Sequence, residues 1–291
     1  MSNEQHAKRA WKIARRTLPL GERTLVMGVL NVTPDSFSDG GRFFSLDRAL
    51  ERAEEMIAEG ADILDIGGES TRPGGASVDT KEELRRTIPV IERLASKIYV
   101  PLSIDTTKRE VARVALQAGA EIVNDISGLR FEPMLADEAA EAKAGLVLMH
   151  SRGTLVELHK LEPVADIMSE VTTDFKRALK EAEARGVGHE SIALDPGIGF
   201  GKSFEQNLEL LAKLNVLVRE FAEFPLLVGT SRKSFIGRLL DGATVTERIH
   251  GTMATVTSAV LRGASIVRVH DVRAAVETVR VGEAIRRAGG V

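Results

Sequence analysis

EGADILDI, residues 59–66, decides the fold, because its arrangement returns twice along the chain. QAGAEIVNDI (117–126) and RGASIVRVH (262–270) place the same Gly-Ala pair between the end of a helical pattern and the start of an apolar run. Glycine is favoured just past a helix, where the backbone turns left-handed. A short apolar run after it predicts a strand, so each copy marks a helix handing over to a strand.

Working outward, eight such runs appear: LVMGVLN (25–31), ADILDIG (61–67), YVPLSID (99–105), EIVNDIS (121–127), GLVLMHS (145–151), SIALDPG (191–197), PLLVGTS (225–231) and SIVRVHD (265–271). Runs that are apolar throughout, rather than alternating, suit parallel strands covered on both faces. The segments between them carry helical stripes, such as Leu46, Leu50, Ala53 and Ile57, or Ile249, Met253, Val256 and Val260. Thr80 with Glu83, and Thr244 with Glu247, have capping-box spacing at expected helix starts. Eight βα units in 291 residues predict an α/β fold, a single (β/α)8 TIM barrel. An open doubly wound sheet is the alternative, and eight units count against it. No Pro/Gly/Ser-rich linker divides the chain. The barrel is expected over 21–291, with an N-terminal extension, 1–20, packed over its N-terminal mouth.

Composition narrows the function. With 43% hydrophobic residues and a net charge of −3, there is core enough for a large domain and no basic excess for nucleic acid. The chain has no cysteine, which removes disulfides, thiolate catalysis and Cys-held metals. The first residues lack the apolar core of a signal peptide, and no segment has the length of a membrane helix. A cytoplasmic protein, with no membrane or nucleic-acid partner, is expected.

DPGIGFGKS (195–203) resembles a phosphate-binding P-loop, but G-x-x-x-x-G-K-[ST] requires glycine where Pro196 stands. Lys202 and Ser203 are expected to begin the next helix instead. In a barrel the chemistry gathers at the C-terminal strand ends, which here carry Asn31, Asp65, Asp105, Asn124, His150, Asp195, Ser231 and His270. The loops beside them add Thr71 and Arg72 between glycines, Lys233 in SRKS (231–234), and Phe37 in a long turn-rich loop that suits a lid. Arg72, Lys233, Arg268 and His270 converge on one mouth and imply an anion of more than one charge. Asp105 and Asp195 oppose them and suit a donor-rich ring. For His150 a structural hydrogen bond is expected rather than catalysis, and the other histidines away from the mouth carry no role.

The blocks NVTPDSFSDGG, DIGGESTRPGG, SIDTTK, NDISG, LMHSRG, LDPGIGFGKS, GTSRKSF and RVHDV, one per expected strand over about residues 25–275, together resemble the dihydropteroate synthase family, the folate-pathway enzymes that sulfonamides inhibit. The resemblance implies condensation of 6-hydroxymethyl-7,8-dihydropterin pyrophosphate with p-aminobenzoate, assisted by Mg²⁺, in a homodimer. It implies a pterin pocket of Asp105, Asn124, Met149, Asp195 and Lys233, with Arg268 stacked on the ring. The pyrophosphate site would be Asn31, Arg72, Arg268 and His270, with Asn31 as metal ligand. Thr71, Pro73, Phe200 and Ser231 would contact aminobenzoate, and Pro34 and Phe37 would close over it. Asp105, Asp195 and Lys233 would serve catalysis, the carboxylates stabilising a cationic pterin methylene in an SN1-like displacement. Oxygen donors without a His/Cys cluster suit magnesium over zinc. Two rivals remain: a methyltetrahydrofolate-type methyltransferase, which has no use for a pyrophosphate site, and a catalytically silent pterin-binding paralogue.

Overall fold

The computed structural model describes residues 10–32, 46–69, 78–154, 157 and 161–289. Eight parallel strands form the barrel: β3 (Leu25–Asn31), β4 (Ile63–Gly67), β5 (Leu102–Asp105), β6 (Ile122–Asp125), β7 (Gly145–Met149), β8 (Ile192–Asp195), β9 (Leu227–Val228) and β10 (Ile266–Val269). Each pairs with its sequence neighbour, and β10 pairs with β3. The ring closes between β8 and β9 through a single parallel bridge, Leu194 to Leu226. All eight expected strands are present. The runs overshoot at their C-terminal ends, so His150, Ser231 and His270 lie just past β7, β9 and β10.

Helices cover the outside: α1 (Leu46–Ala58), α2 (Thr80–Ala95), α3 (Arg109–Ala118), α4 (Leu135–Glu141), α5 (Ile167–Ala184), the pair α6 (Phe204–Ala212) and α7 (Leu214–Glu220), the pair α8 (Ser234–Leu239) and α9 (Ile249–Leu261), and α10 (Val272–Ala288). In β4, Leu64 and Ile66 face this layer, while Ile63 belongs to the barrel interior. Both strand faces are therefore buried, which is why the runs read as continuously apolar. On α1 the fully buried line is Ala49, Ala53 and Met56, with Leu46, Leu50 and Ile57 packed at its margins.

The Gly-Ala repeat is a capping device. Gly60, Gly119 and Gly263 have φ of +102°, +119° and +92°. The alanine amide that follows each bonds five residues back, Ala61 to Met56, Ala120 to Ala115 and Ala264 to Ala259. That is the Schellman pattern, and it turns each helix straight into the next strand.

Two expected capping boxes are corrected. The N-cap of α2 is Asp79, whose carboxylate accepts from Glu82 N at 2.8 Å, because aspartate one residue earlier is the better acceptor. Thr244 and Glu247 do bond (2.6 Å), but they close a turn ahead of α9. Ser203 caps α6 in a capping box with Gln206, which leaves Lys202 before the helix and not in it.

Residues 10–19 form an antiparallel hairpin, β1 (Ala10–Ile13) with β2 (Arg16–Pro19). Trp11 and Ile13 pack into the barrel interior against Met27, Ile63, Ile122 and Val147, and Trp11 Nε1 donates to Ser191 O at 2.8 Å. Ser191 immediately precedes β8, so the hairpin stoppers the end opposite the C-terminal mouth.

Candidate active site

Alternation along the strands aims one set of polar side chains into the upper barrel. At its centre Arg268, from β10, donates Nε to Asp65 Oδ2 and a terminal nitrogen to Asp105 Oδ2, each at 2.6 Å. Asp65 Oδ2 also accepts from Asn124 Nδ2 at 3.0 Å, while its buried Oδ1 has no partner. The sequence reading expected Arg268 as a cation open to an anion. Here two carboxylates engage Nε and one terminal nitrogen, because the barrel brings residues far apart in sequence onto one layer, and the other terminal nitrogen takes part in neither bond.

Burial pushes the Asp105 carboxyl up to about 7, with Arg268 opposing the rise and Asp65 adding to it. Burial also raises Asp195, against the pull of Lys233. Lys233 is lowered to about 7 by burial, with Asp195 opposing. Burial works to lower Arg268 too, but Asp65 and Asp105 outweigh it and hold the guanidinium above its ordinary value. Two carboxyls and an ammonium shifted by burial at one barrel mouth mark a candidate ligand site.

The remaining predicted residues frame this centre. Asn31 is half-buried at the end of β3. Its Oδ1 and Asp105 Oδ2 flank Gly67, each 3.7 Å from where a Cβ there would stand, an ordinary contact distance. Met149 is buried at the end of β7. Lys233 donates to Ile198 O and sits 4.4 Å over the Phe200 ring. His270 takes Ser231 Oγ twice, at its backbone N (3.1 Å) and at Nδ1 (3.0 Å). Arg232 between Ser231 and Lys233 has φ of +61° and pairs with Asp271 at 2.6 Å. That pairing fastens the loop after β9 to the start of α10. Pro34, Phe37, Thr71, Arg72 and Pro73 lie outside the described residues.

Several amides of DPGIGFGKS are already taken within the protein. Gly197 N is taken by Asp195 Oδ1 (2.7 Å), Gly199 N by Asn207 Oδ1 (2.6 Å) and Phe200 N by Gly197 O (3.1 Å). His150 is buried, and burial, then the charge of Lys202, lowers it to about 2, so the ring is neutral. Its Nδ1 has no partner, contrary to the expected structural hydrogen bond; the main chain bonds instead, His150 N to Asp195 O at 2.9 Å.

Sequence reasoning counted Asp65 among the polar strand ends without a specific role, and it missed the clasp in which Lys108 meets Glu69 at 2.6 Å and Glu83 at 2.5 Å. Asp65 carried a signal, an acid amid the apolar run ADILDIG. Glu83 read as a capping residue and gave none. Among the described residues no group of three or more His, Cys, Asp or Glu is arranged to hold a metal ion. Asn31 offers one amide oxygen at the mouth, which fits a hard cation that keeps its waters and takes most ligands from a phosphate.

A family model described as pterin binding enzyme matches residues 27–270. The dihydropteroate synthase of Synechocystis sp. is 52% identical over 267 residues, 92% of each chain. Among solved structures, dihydropteroate synthase from Clostridium difficile in the presence of pteroic acid superposes with a TM-score of 0.85 at 46% identity, over 91% of this chain and 98% of that one. The Xanthomonas albilineans dihydropteroate synthase with 4-aminobenzoic acid gives 0.89 at 42% identity, over 96% and 99%.

Proposed function

The chain belongs to the pterin-binding enzymes, within the dihydropteroate synthase family, and we propose how its mouth residues divide the work of that reaction. The enzyme condenses 6-hydroxymethyl-7,8-dihydropterin pyrophosphate with p-aminobenzoate and releases 7,8-dihydropteroate and pyrophosphate. The observation that carries the assignment of roles is Arg268 clamped by Asp65 and Asp105 beside the half-paired Asp195 and Lys233.

A carboxyl whose anion is disfavoured by burial gains most when donors arrive. The amino-pyrimidinone edge of a pterin brings adjacent N–H groups to Asp195, and Asn124 supplies a donor and an acceptor to the rest. Lys233 meets the acceptors from the other side, Met149 lines the pocket, and Arg268 lays its plane on the ring. Arg268 and His270, with Arg72, then face the pyrophosphate. Asn31 Oδ1 would hold Mg²⁺ there, which when bound supplies positive charge to the leaving pyrophosphate. As that group departs the pterin methylene becomes cationic, and Asp105 and Asp195 are the fixed charges that favour it. The aminobenzoate amine is nucleophilic as it stands, so an SN1-like displacement needs no strong base and no covalent enzyme intermediate. Phe200 and Ser231, with Thr71 and Pro73, frame aminobenzoate, and Pro34 and Phe37 cover it.

Residues 21–291 act as one barrel domain with 1–20 as its extension. The enzyme works in the cytoplasm as a homodimer; exposed Val281 and Ile285, four apart on α10, suit packing of outer helices. No helix among the described residues is long and apolar enough to cross a membrane. Neither a pterin methyltransferase nor a silent paralogue would release pyrophosphate in an aminobenzoate-dependent way. Release by purified protein with Mg²⁺, requiring both substrates and stopped by a sulfonamide, is the expected result. Pterin pyrophosphate binding without release would overturn the assignment of catalytic roles.

A further inference from the structure

We propose that Lys202, a residue without substrate contact, is the positioning residue of the pterin pocket: its ammonium gathers three main-chain carbonyls and so sets the glycine loop against Lys233. The inference rests on the reaction assigned above. Lys202 Nζ donates to Gly197 O at 2.7 Å, Phe200 O at 3.0 Å and His150 O at 3.2 Å. Those oxygens belong to two neighbouring segments, the loop after β8 and the first residue beyond β7. One side chain thus staples the C-terminal ends of two barrel strands.

Gly197, Gly199 and Gly201 have φ of +64°, +86° and +64°. Alternate left-handed residues turn successive carbonyls to opposite sides of the chain. Gly197 O and Phe200 O meet Lys202, while Ile198 O between them meets Lys233. The loop is therefore gripped by two lysines, one behind it and one in the pocket. There is no slack to take up an error. A Cβ on Gly197 would overlap His150 O, one on Gly199 would come within 2.7 Å of Lys233 Cδ, and one on Gly201 within 2.8 Å of Arg152 Cβ.

The head group is matched to the task. An ammonium has three donors around one atom and no acceptor, which suits three converging carbonyls. A planar guanidinium cannot converge its donors in that way. All the hydrogen-bond partners of Lys202 Nζ are carbonyls; burial, then the charge of Lys233, pushes its pKa well below the usual lysine value. Three converging carbonyl acceptors favour the ammonium against that shift, since a neutral amine has only two N–H donors to offer them. Gly197 N fixes Asp195 Oδ1, and the Phe200 ring lies beneath Lys233 Nζ, so loosening the loop moves both the carboxylate and the cation of the pterin pocket.

The test compares wild type with Lys202→Met, Lys202→Arg and Lys202→Ala under the full two-substrate assay. Hydrogen bonds to a charged group of this kind predict a rise in the pterin KM of roughly 10- to 100-fold in Lys202→Met. The aminobenzoate KM should rise as well, because the same ammonium holds Phe200, which frames aminobenzoate. Arginine should not restore the pterin KM. Ethylammonium should restore it in Lys202→Ala, and this variant can be purified in the presence of the amine should the loop fail to fold without it. A general loss of stability would lower kcat or yield and leave both KM values at their wild-type levels, and no small amine would reverse it selectively. Wild-type turnover with an unchanged pterin KM in Lys202→Met, or with arginine as good as lysine, would overturn the positioning role alone. Absence of aminobenzoate-dependent turnover in wild type would overturn the underlying assignment, and the positioning role with it.

Discussion

Asp105 and Lys233 each titrate near neutrality, from opposite directions. The anion of Asp105 is populated above about 7, and the cation of Lys233 below about 7. Binding that requires both charges is therefore strongest near neutral pH and weakens on either side, with apparent values that belong to the group and not to one residue. Titrating pterin pyrophosphate affinity from about pH 5.5 to 8.5 should give a bell, and Lys233→Met should remove its alkaline limb only. A flat profile in wild type would show that neither ionisation matters. Asp65 yields a second expectation. Asp65→Asn leaves Arg268 with one carboxylate and should lower kcat/KM by about 10- to 100-fold, since a charged hydrogen bond is worth roughly 1.5–3 kcal/mol. An effect under about twofold would mean that Asp105 orients Arg268 unaided. Most of these groups were legible as polar residues closing apolar runs. Their pairings were not: Arg268 and Asp65 stand 203 positions apart, and only barrel closure makes them neighbours. Lys202 was illegible for the opposite reason, since its partners are carbonyls, which every residue possesses.

At the scale of elements, the strands were readable because burial on two faces leaves no periodicity to misjudge. Helix starts were less readable, since capping depends on which side chain reaches an amide and Asp79 outcompeted Thr80. Several helix-to-strand turns share one left-handed device, and one of them builds it without glycine. Lys143 has φ of +52° where Gly60, Gly119, Gly186 and Gly263 serve at other turns, yet the next amide, Ala144 N, still bonds Ala139 O at 2.8 Å. A left-handed residue with a Cβ costs roughly 1–2 kcal/mol, offset in part by its lower entropy when unfolded. Lys143→Gly should therefore stabilise the protein slightly, by up to about 1 kcal/mol. Gly119→Ala should do the reverse and more severely, because its Cβ would come within 2.5 Å of Ala95 Cβ on α2. Urea denaturation of the two variants should move the midpoint in opposite directions; equal shifts would refute the capping account.

Across the whole molecule the two ends of the barrel divide their duties. The C-terminal mouth holds charges that burial disfavours, an arrangement that spends stability on function. The opposite end has to supply stability, and the hairpin there seats Trp11 in the barrel interior at 0% exposure. Truncating a buried tryptophan costs about 3–5 kcal/mol, and Trp11→Ala would also leave Ser191 O without its donor. Trp11→Phe keeps most of the packing and loses that hydrogen bond, so it should cost only about 1 kcal/mol. Neither change touches the mouth, and both KM values should stay at their wild-type levels at temperatures where the variants are folded. Trp11 is the sole tryptophan of the chain, so its fluorescence reports on the hairpin directly. If the hairpin is part of the barrel's cooperative core, the fluorescence transition in urea will coincide with loss of helical circular dichroism. An earlier fluorescence transition, with activity retained, would instead make the hairpin a detachable cover that the catalytic barrel does not need.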